Sequence, residues 1–268
     1  RMTGWGQYGS LSSDPGHDIN YIALTGALSS IGTKNTAPLP PLNLVGDFGG
    51  GGMVLAMGIC AALVEVAKSG KGQIIDSAMT DGSALLMSMM YGFYSAGIWN
   101  DHRESNLLDG AAHFYGCYEC KDNKFVSIGS IEPQFYKELI KRLEVDEEIF
   151  KDQMDRSKWP ELKKILEKKF KEKTREEWCE IMEGGDVCFA PVLSLEESIN
   201  YKHNKDRETF VNIDGVTQPA PAPRFSNTPG KIKHPPVRKG ENTREILKSI
   251  GKEDLVQELV ESKIISEG

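Results

Sequence analysis

Apolar positions fall in two different patterns along this chain. Over residues 53–68 nearly every position is apolar, so no polar face remains, which predicts a helix buried on all sides. Ser69-Gly70-Lys71-Gly72 ends it with a glycine stop and a cation for the helix dipole. Residues 73–76 read as a short strand and residues 79–96 as a second apolar helix carrying Met79, Met87, Met89 and Met90. Methionine at that density serves ordinary core packing or an adaptable apolar surface. Past Gly110 the pattern changes. Residues 114–119 and 124–128 read as strands joined by the polar turn Cys120-Lys121-Asp122-Asn123. Residues 133–143 and 161–182 are charged and amphipathic, with Trp159, Leu162, Ile165, Leu166, Phe170, Trp178 and Ile181 forming a stripe at helical spacing. Pro219-Ala220-Pro221-Ala222-Pro223 is a polyproline-like connector. Residues 241–265 are again helical, capped by Asn242 or Thr243 and docked through Leu247, Ile250, Leu255, Leu259 and Ile264. There is no internal repeat.

Nearer the start, residues 16–31 alternate apolar and small polar positions, and Pro38, Pro40 and Pro41 enforce an extended approach to Asp47, where a loop meets a helix. With 268 residues, 39% hydrophobic, the chain suffices for one or two globular domains. A net charge of −7 argues against a nucleic-acid partner, although a local basic pocket could hold one anionic group. Five cysteines are too few for a disulfide scaffold and point to free thiols in a reducing compartment, with Cys60, Cys179 and Cys188 in apolar or helical patterns expected in the core. The first residues lack a signal-peptide layout and read as the middle of a longer protein. The longest apolar stretch, residues 49–67, opens with four glycines and contains Glu65, which suits a buried soluble helix better than a membrane span.

Three residues capable of acid/base work stand out: His17, Asp47 and Glu132. Each has a plainer explanation. His17-Asp18 is a common loop pair, Asp47 before Gly49-Gly50-Gly51-Gly52 resembles a helix cap, and Glu132 suits the first turn of a helix. The glycine run adds something, because free N–H groups at a helix start attract an anion and glycine lets a ligand approach the backbone. The run has neither the Gly-Lys-Ser/Thr end of a P-loop nor the spacing of a dinucleotide fingerprint. Cys117-Tyr118-Glu119-Cys120 has no second pair at zinc spacing, so no metal is expected. His102, His113, His203 and His234 have no partner motif, no Gly-x-Ser-x-Gly elbow occurs, and the lysines of residues 163–173 form a solvated helix face.

Taken together, the stretches Gly16-His17-Asp18-Ile19-Asn20-Tyr21, residues 40–51 around Asn43-Leu44-Val45-Gly46-Asp47-Phe48, Gly72-Gln73, Asp76, Leu108-Asp109-Gly110 and Ile131-Glu132-Pro133-Gln134-Phe135-Tyr136 closely resemble the α-methylacyl-CoA racemases of the class III CoA-transferase superfamily. The resemblance implies an α/β fold with a Rossmann-like large domain and a smaller α+β domain in an interlocked homodimer. Residues 1–110 would belong to the large CoA-binding and catalytic domain, 111–218 to the small domain, and 219–268 to the connector and a C-terminal helix returning to the large domain. The family's N-terminal segment, with basic contacts to CoA and the first βαβ portion, is expected to lie outside this sequence, which puts the activity of this stretch alone in question. By the same resemblance His17 and Asp47 are the two catalytic bases, Glu132 is the carboxylate partner of the imidazole, and Gly16, His17, Asp18, Ile19, Asn20 and Tyr21 contact the acyl-CoA. The methionine-bearing helix is left open by its residues between core packing and an adaptable surface for an acyl chain. A racemase removes a proton from one face of a planar enolate and returns one to the other, which needs two acid/base groups. Backbone N–H groups near Asp47, Gly49 and Gly50 are expected to hold the enolate oxygen. No cofactor or metal is implied, since coenzyme A is part of the substrate, and neither nucleic acid nor membrane is an expected partner.

Two alternatives carry other chemistry. In a class III CoA-transferase the position of Asp18 is the nucleophile that forms an acyl intermediate, but an aromatic residue usually precedes it where this chain has His17. A shortened, inactive CoA-binding form is the other. Bile-acid intermediates, fatty 2-methylacyl chains and small thioesters share the reacting atoms, so the sequence does not name the acyl chain. The family points to mitochondrion or peroxisome, and Ile264-Ile265-Ser266-Glu267-Gly268 is not a peroxisomal Ser-Lys-Leu-type end.

Overall fold

Glycine decides the path of the first part of the chain. In the computed structural model, which describes residues 1–266, one compact unit spans Arg1–Val192 and a second begins at Leu193. The first unit opens with β1 (Met2–Thr3), paired in parallel with β2 (Ser77–Ala78). Two short helices, α1 (Asp18–Ala23) and α2 (Ala27–Ser30), follow, separated at Gly26, which is left-handed at φ 74°. Residues Leu44–Met53 form a π-helix, wider than an α-helix and rare in proteins, which runs straight into α3 (Val54–Ser69). Beyond β2 lie α4 (Met79–Leu86) and α5 (Ser88–Ser95). The π-helix and α4 cross with backbones touching: a Cβ on Gly82 would lie 1.9 Å from the Gly50 carbonyl oxygen, and one on Gly50 would lie 2.6 Å from the Ser83 nitrogen. Only glycine fits at either position.

The expectation that the helix over residues 53–68 sits in the core is corrected. None of the residues of α3 is buried, and Met57, Leu63 and Val64 are among the exposed apolar side chains. Continuous apolarity records a helix that needs cover, and no other element of the unit lies over it. The run Leu44–Ser69 has the length and apolarity of a bilayer span, 26 residues containing an 18-residue window of mean hydropathy 1.8, and its π-helical half is packed on α1 and α4. The strand expected at residues 73–76 is an extended loop, because its pairing partner β1 meets Ser77 and Ala78 instead. The apolar segment over residues 79–96 is two helices that break at Met87.

Beyond residue 110 the structure follows the amphipathic pattern. β3 (Tyr115–Glu119) and β4 (Phe125–Gly129) form the expected hairpin, and β5 (Phe189–Val192) adds to β4 as an antiparallel edge, the position where its Pro191 needs no donor. Over this sheet lie α6 (Pro133–Leu143), α7 (Glu147–Phe150), α8 (Trp159–Phe170) and α9 (Arg175–Met182). Trp159, Leu162, Leu166, Phe170 and Trp178 of the sequence stripe are buried in one core with Phe114, Tyr118, Val126 and Leu139. The stripe is broken between α8 and α9, where Thr174 caps α9 in a reciprocal box with Glu177. The boundary expected at residue 110 lies inside the first unit. Lys163 of α8 bonds both Glu104 Oε1 (2.9 Å) and the Gly110 carbonyl (2.8 Å), and the Arg156 guanidinium donates to the Ile98 carbonyl at 2.8 Å.

The second unit holds α10 (Leu195–Asn200), α11 (Lys202–Asp206), the hairpin β6 (Phe210–Ile213) and β7 (Val216–Pro219), α12 (Thr243–Ser249) and α13 (Val256–Glu261). The boundary expected at residue 218 falls within β7. The single helix expected over residues 241–265 is divided by Gly251, left-handed at φ 68°. Leu247, Leu255 and Leu259 are half-buried, whereas Ile250 and Ile264 are 62% and 70% exposed and do not dock; Val256 is the buried residue of this stretch. Residues 267–268, within the expected C-terminal segment, lie outside the described residues. All five cysteines are free, but Cys60 and Cys188 are exposed rather than in the core, Cys60 because it sits on uncovered α3.

His113 is fully buried against Phe114, Tyr136 and Phe150. The Tyr136 hydroxyl donates to the Phe150 carbonyl (3.0 Å), so His113 Nε2–H donates to Tyr136 Oη (2.7 Å) and Nδ1 has no partner. Burial pushes this imidazole down to about 4. The folded state therefore resists a proton that the unfolded chain accepts near pH 6.5, so stability is retained above 6.5 and falls as pH is lowered from there toward 4. Urea unfolding at pH 7 and pH 5 should show this group lowering stability by about 2 kcal/mol, and His113→Phe should remove that part of the slope. An unchanged slope in the variant would contradict the assignment.

Candidate active site

The segment Gly16–Tyr21 starts α1, and its geometry follows from local chemistry. His17 is the N-cap, in extended conformation at φ −134° and ψ 173°, and its backbone N–H donates to Asn20 Oδ1 at 3.1 Å. The Tyr21 hydroxyl returns to the Gly16 carbonyl, and its ring meets Trp5 edge-on at 4.8 Å. A Cβ on Gly16 would lie 2.7 Å from the Tyr21 ring, so glycine is required there. His17, Ile19 and Asn20 are exposed, while Asp18 and Tyr21 are buried.

Asp18 turns inward to the π-helix. Its Oδ2 accepts the Asp47 N–H at 2.7 Å, a bond across 29 residues of sequence, and the carboxylate is only 3% exposed. Gly46 makes room for it: a Cβ there would lie 2.5 Å from the same oxygen. The Asp47 carboxylate is half-buried, and its Oδ2 accepts from Asn43 Nδ2 at 2.7 Å. Asn43 is left-handed at φ 58°, a conformation that asparagine tolerates, and this lets it begin the π-helix and bond the side chain four residues on. Asn43 was missed in the sequence, where only its place before the glycine run marked it. Burial first, and the nearby Asp47 carboxylate second, raise the Tyr21 phenol above its ordinary range. The fold thus brings the start of α1 and Asp47 side by side.

Two sequence expectations are not met in the single chain. Glu132, N-cap of α6, is exposed, its negative charge helps raise the Cys188 thiol, and no ion pair or hydrogen bond joins it to His17 among the described residues. The expected oxyanion donors are also corrected. The Asp47 N–H is taken by Asp18, and a π-helix bonds each N–H to the carbonyl five residues back, which uses those of Gly49 and Gly50 internally. Gly50 is buried against α4, so the glycines of this run serve backbone packing rather than an open anion cradle.

A hollow of about 240 Å³ lies where the turn at Gly26 faces α5, lined by Met87, Met90, Tyr91, Tyr94 and Trp99. The Tyr91 hydroxyl donates to the Thr25 carbonyl at 3.2 Å and ties this wall to the end of α1. Among the described residues no three His, Cys, Asp or Glu side chains gather as a metal-ligand set.

Known proteins agree with this architecture. The chain is 44% identical to the α-methylacyl-CoA racemase of Mus musculus over 263 residues, covering 96% of this chain and 68% of that protein. It is likewise 44% identical to the human (Homo sapiens) α-methylacyl-CoA racemase, over 99% of this chain and 70% of that one. Human succinyl-CoA:glutarate CoA-transferase is more distant, 25% identical over 99% of this chain and 63% of its own length. A CAIB/BAIF family protein from Brucella suis has the same fold, with a TM-score of 0.74 at 21% identity over 93% of this chain and 66% of its own. The sequence profile of CoA-transferase family III matches residues 1–243, and the chain belongs to that family.

Proposed function

We propose that the protein inverts the α-carbon of 2-methylacyl-CoA thioesters, removing the proton on one face and returning one on the other through an enolate. The observation that carries this reading is the Asp18 to Asp47 bond, because it draws the segment bearing His17 and the helix bearing Asp47 into one site. His17 is exposed and free to meet a substrate, and Asp47 presents a carboxylate steadied by Asn43. Imidazole and carboxylate are the acid/base groups that a two-face proton transfer needs near neutral pH. The 44% identity to proteins named α-methylacyl-CoA racemase supports the same substrate class.

In this reading the acyl-CoA lies along Gly16–Tyr21, with His17, Ile19 and Asn20 reachable and buried Asp18 and Tyr21 as scaffold. The methionine and aromatic hollow at α5 takes apolar substituents of the acyl chain. The reaction uses no cofactor or metal, since CoA arrives as part of the substrate. Glu132 reaches the imidazole of His17 across a homodimer, and apolar α3, bare in the single chain, is covered by protein in that assembly rather than by lipid. Mitochondrion or peroxisome is the proposed compartment, on the ground of the family alone. Transfer of CoA to an acid, the chemistry named for the more distant relatives, would need an accessible carboxylate at residue 18, and that side chain is 3% exposed.

In deuterated water the full-length enzyme should exchange the α-proton of a 2-methylacyl-CoA with no acceptor acid present. Absence of exchange, with CoA passing to an added carboxylate, would replace this reading by the transferase one. Separate loss of each base should give different failures. His17→Ala and Asp47→Asn should each lower inversion about 10²–10⁴-fold while exchange begun by the remaining base survives for one enantiomer. Mass spectrometry and chiral analysis of R and S substrates measure both, and near-normal inversion in either variant would remove that residue from the pair.

A further inference from the structure

The proposed chemistry uses His17 and Asp47 and leaves a second carboxylate between them without a duty. Asp18 is buried and adjoins His17 in sequence, and one of its oxygens receives the backbone N–H of Asp47 at 2.7 Å. As the first residue of α1 it would also favour the helix start, but a first-turn charge serves the dipole equally well when solvated. Burial at 3% exposure with a long-range partner needs another reason.

Packing supplies it. The side chain occupies the space that a Cβ at residue 46 would take, with 2.5 Å from that position to Oδ2 and 2.9 Å to Cγ. Glycine at 46 and aspartate at 18 are thus a matched pair, one removing a side chain and the other filling the gap with an acceptor. The N–H it receives belongs to the first turn of the π-helix, among the donors that the helix itself cannot satisfy. A buried donor left without an acceptor is costly, so this 2.7 Å contact fixes that turn. The turn carries the Asp47 carboxylate, whose other tether is Asn43.

We propose that Asp18 is a positioning residue that clamps the Asp47 backbone onto α1 and so aims the Asp47 carboxylate, and that it does not itself accept an acyl group. This rests on the racemase reading for its effect on activity, but the clamp has a readout of its own. Hydrogen exchange of the Asp47 amide, followed in the full-length protein, should speed up at least about tenfold in Asp18→Ala and stay slow in Asp18→Asn, whose amide oxygen still accepts. In deuterated water Asp18→Ala should lose about 10²-fold of the exchange of the enantiomer that Asp47→Asn also loses, and retain more of the other; Asp18→Asn should remain within about tenfold of the parent. Gly46→Ala, which leaves all three acidic and basic groups in place, should mimic Asp18→Ala, and adding it to Asp18→Ala should cost less than it does alone, because Asp18 Oδ2 and Cγ are gone and only the Ile22 Cγ2 contact at 3.1 Å remains.

Unchanged protection of the Asp47 amide in Asp18→Ala would overturn the clamp. Equal inactivity of Asp18→Asn and Asp18→Ala, both folded, would also overturn it, since the carboxylate would then be needed for chemistry of its own. If the parent enzyme exchanges no α-proton, the racemase reading fails instead, and the amide protection still decides whether Asp18 holds Asp47.

Discussion

The close approach of the glycine-bearing π-helix to α1 and α4 is the constraint from which the site follows. A helix that touches a neighbour backbone to backbone cannot carry Cβ atoms at the contact, and Gly46, Gly50 and Gly82 each lie where such an atom would fall under 3 Å from another group. The wider π form suits this role, since it turns a different set of residues toward each neighbour than an α-helix would. Glycine weakens a helix through backbone entropy, about 1 kcal/mol per residue against alanine, so four in succession persist only where packing offsets the loss. Here the contact offsets it, and the same contact sets Asp47 beside α1.

The two parts of the first unit obtain their stability differently. Beyond residue 110 a closed core of aromatic and aliphatic side chains lies between a three-stranded sheet and amphipathic helices, with Phe114, Leu139, Leu166, Phe170 and Trp178 fully buried. Each such side chain contributes about 1.5–3 kcal/mol by burial. Before residue 110 the apolar faces of α3 and α5 stand open, and the order of this region rests on close backbone contact and on polar ties such as Asp18 to Asp47 and Tyr91 to Thr25. Exposed apolar surface of this extent marks an interaction face, the one that the proposed homodimer would cover.

What the sequence made legible tracks where the physical signal is local. The hairpin β3–β4, helix α6 and the Trp159 to Trp178 stripe came through because alternation, a proline at the first helical turn and helical spacing are read within a few residues. The break at Thr174 was hidden, since a capping box inside an amphipathic stretch does not disturb the stripe. The bare state of α3 was hidden for a different reason: apolarity states that cover is wanted and not which element provides it. In the candidate site, His17 and Asp47 were assigned from motif resemblance, whereas the inward turn of Asp18 and the tether from Asn43 depend on contacts between distant segments and on a positive φ. The glycine run suggested an anion cradle because the same residues permit ligand approach and helix approach, and only the fold distinguishes the two.

Two aspartates thus share one small region in different surroundings, and the surroundings carry the division of duties proposed for them. Asp47 is half-buried with one oxygen held by Asn43, which steadies its direction and leaves the carboxylate open to a reactant. Asp18 is closed off, and its charge is aimed at a backbone N–H. A carboxylate that is to attack a thioester must reach the carbonyl carbon, and one that is to move a proton must come within hydrogen-bond reach of it. Asp18 meets neither requirement where it stands, and His17, the residue beside it, faces outward. Under the proposed inversion, the acid/base duty therefore falls to exposed His17 and to Asp47, and the buried carboxylate of Asp18 holds the second of these in place.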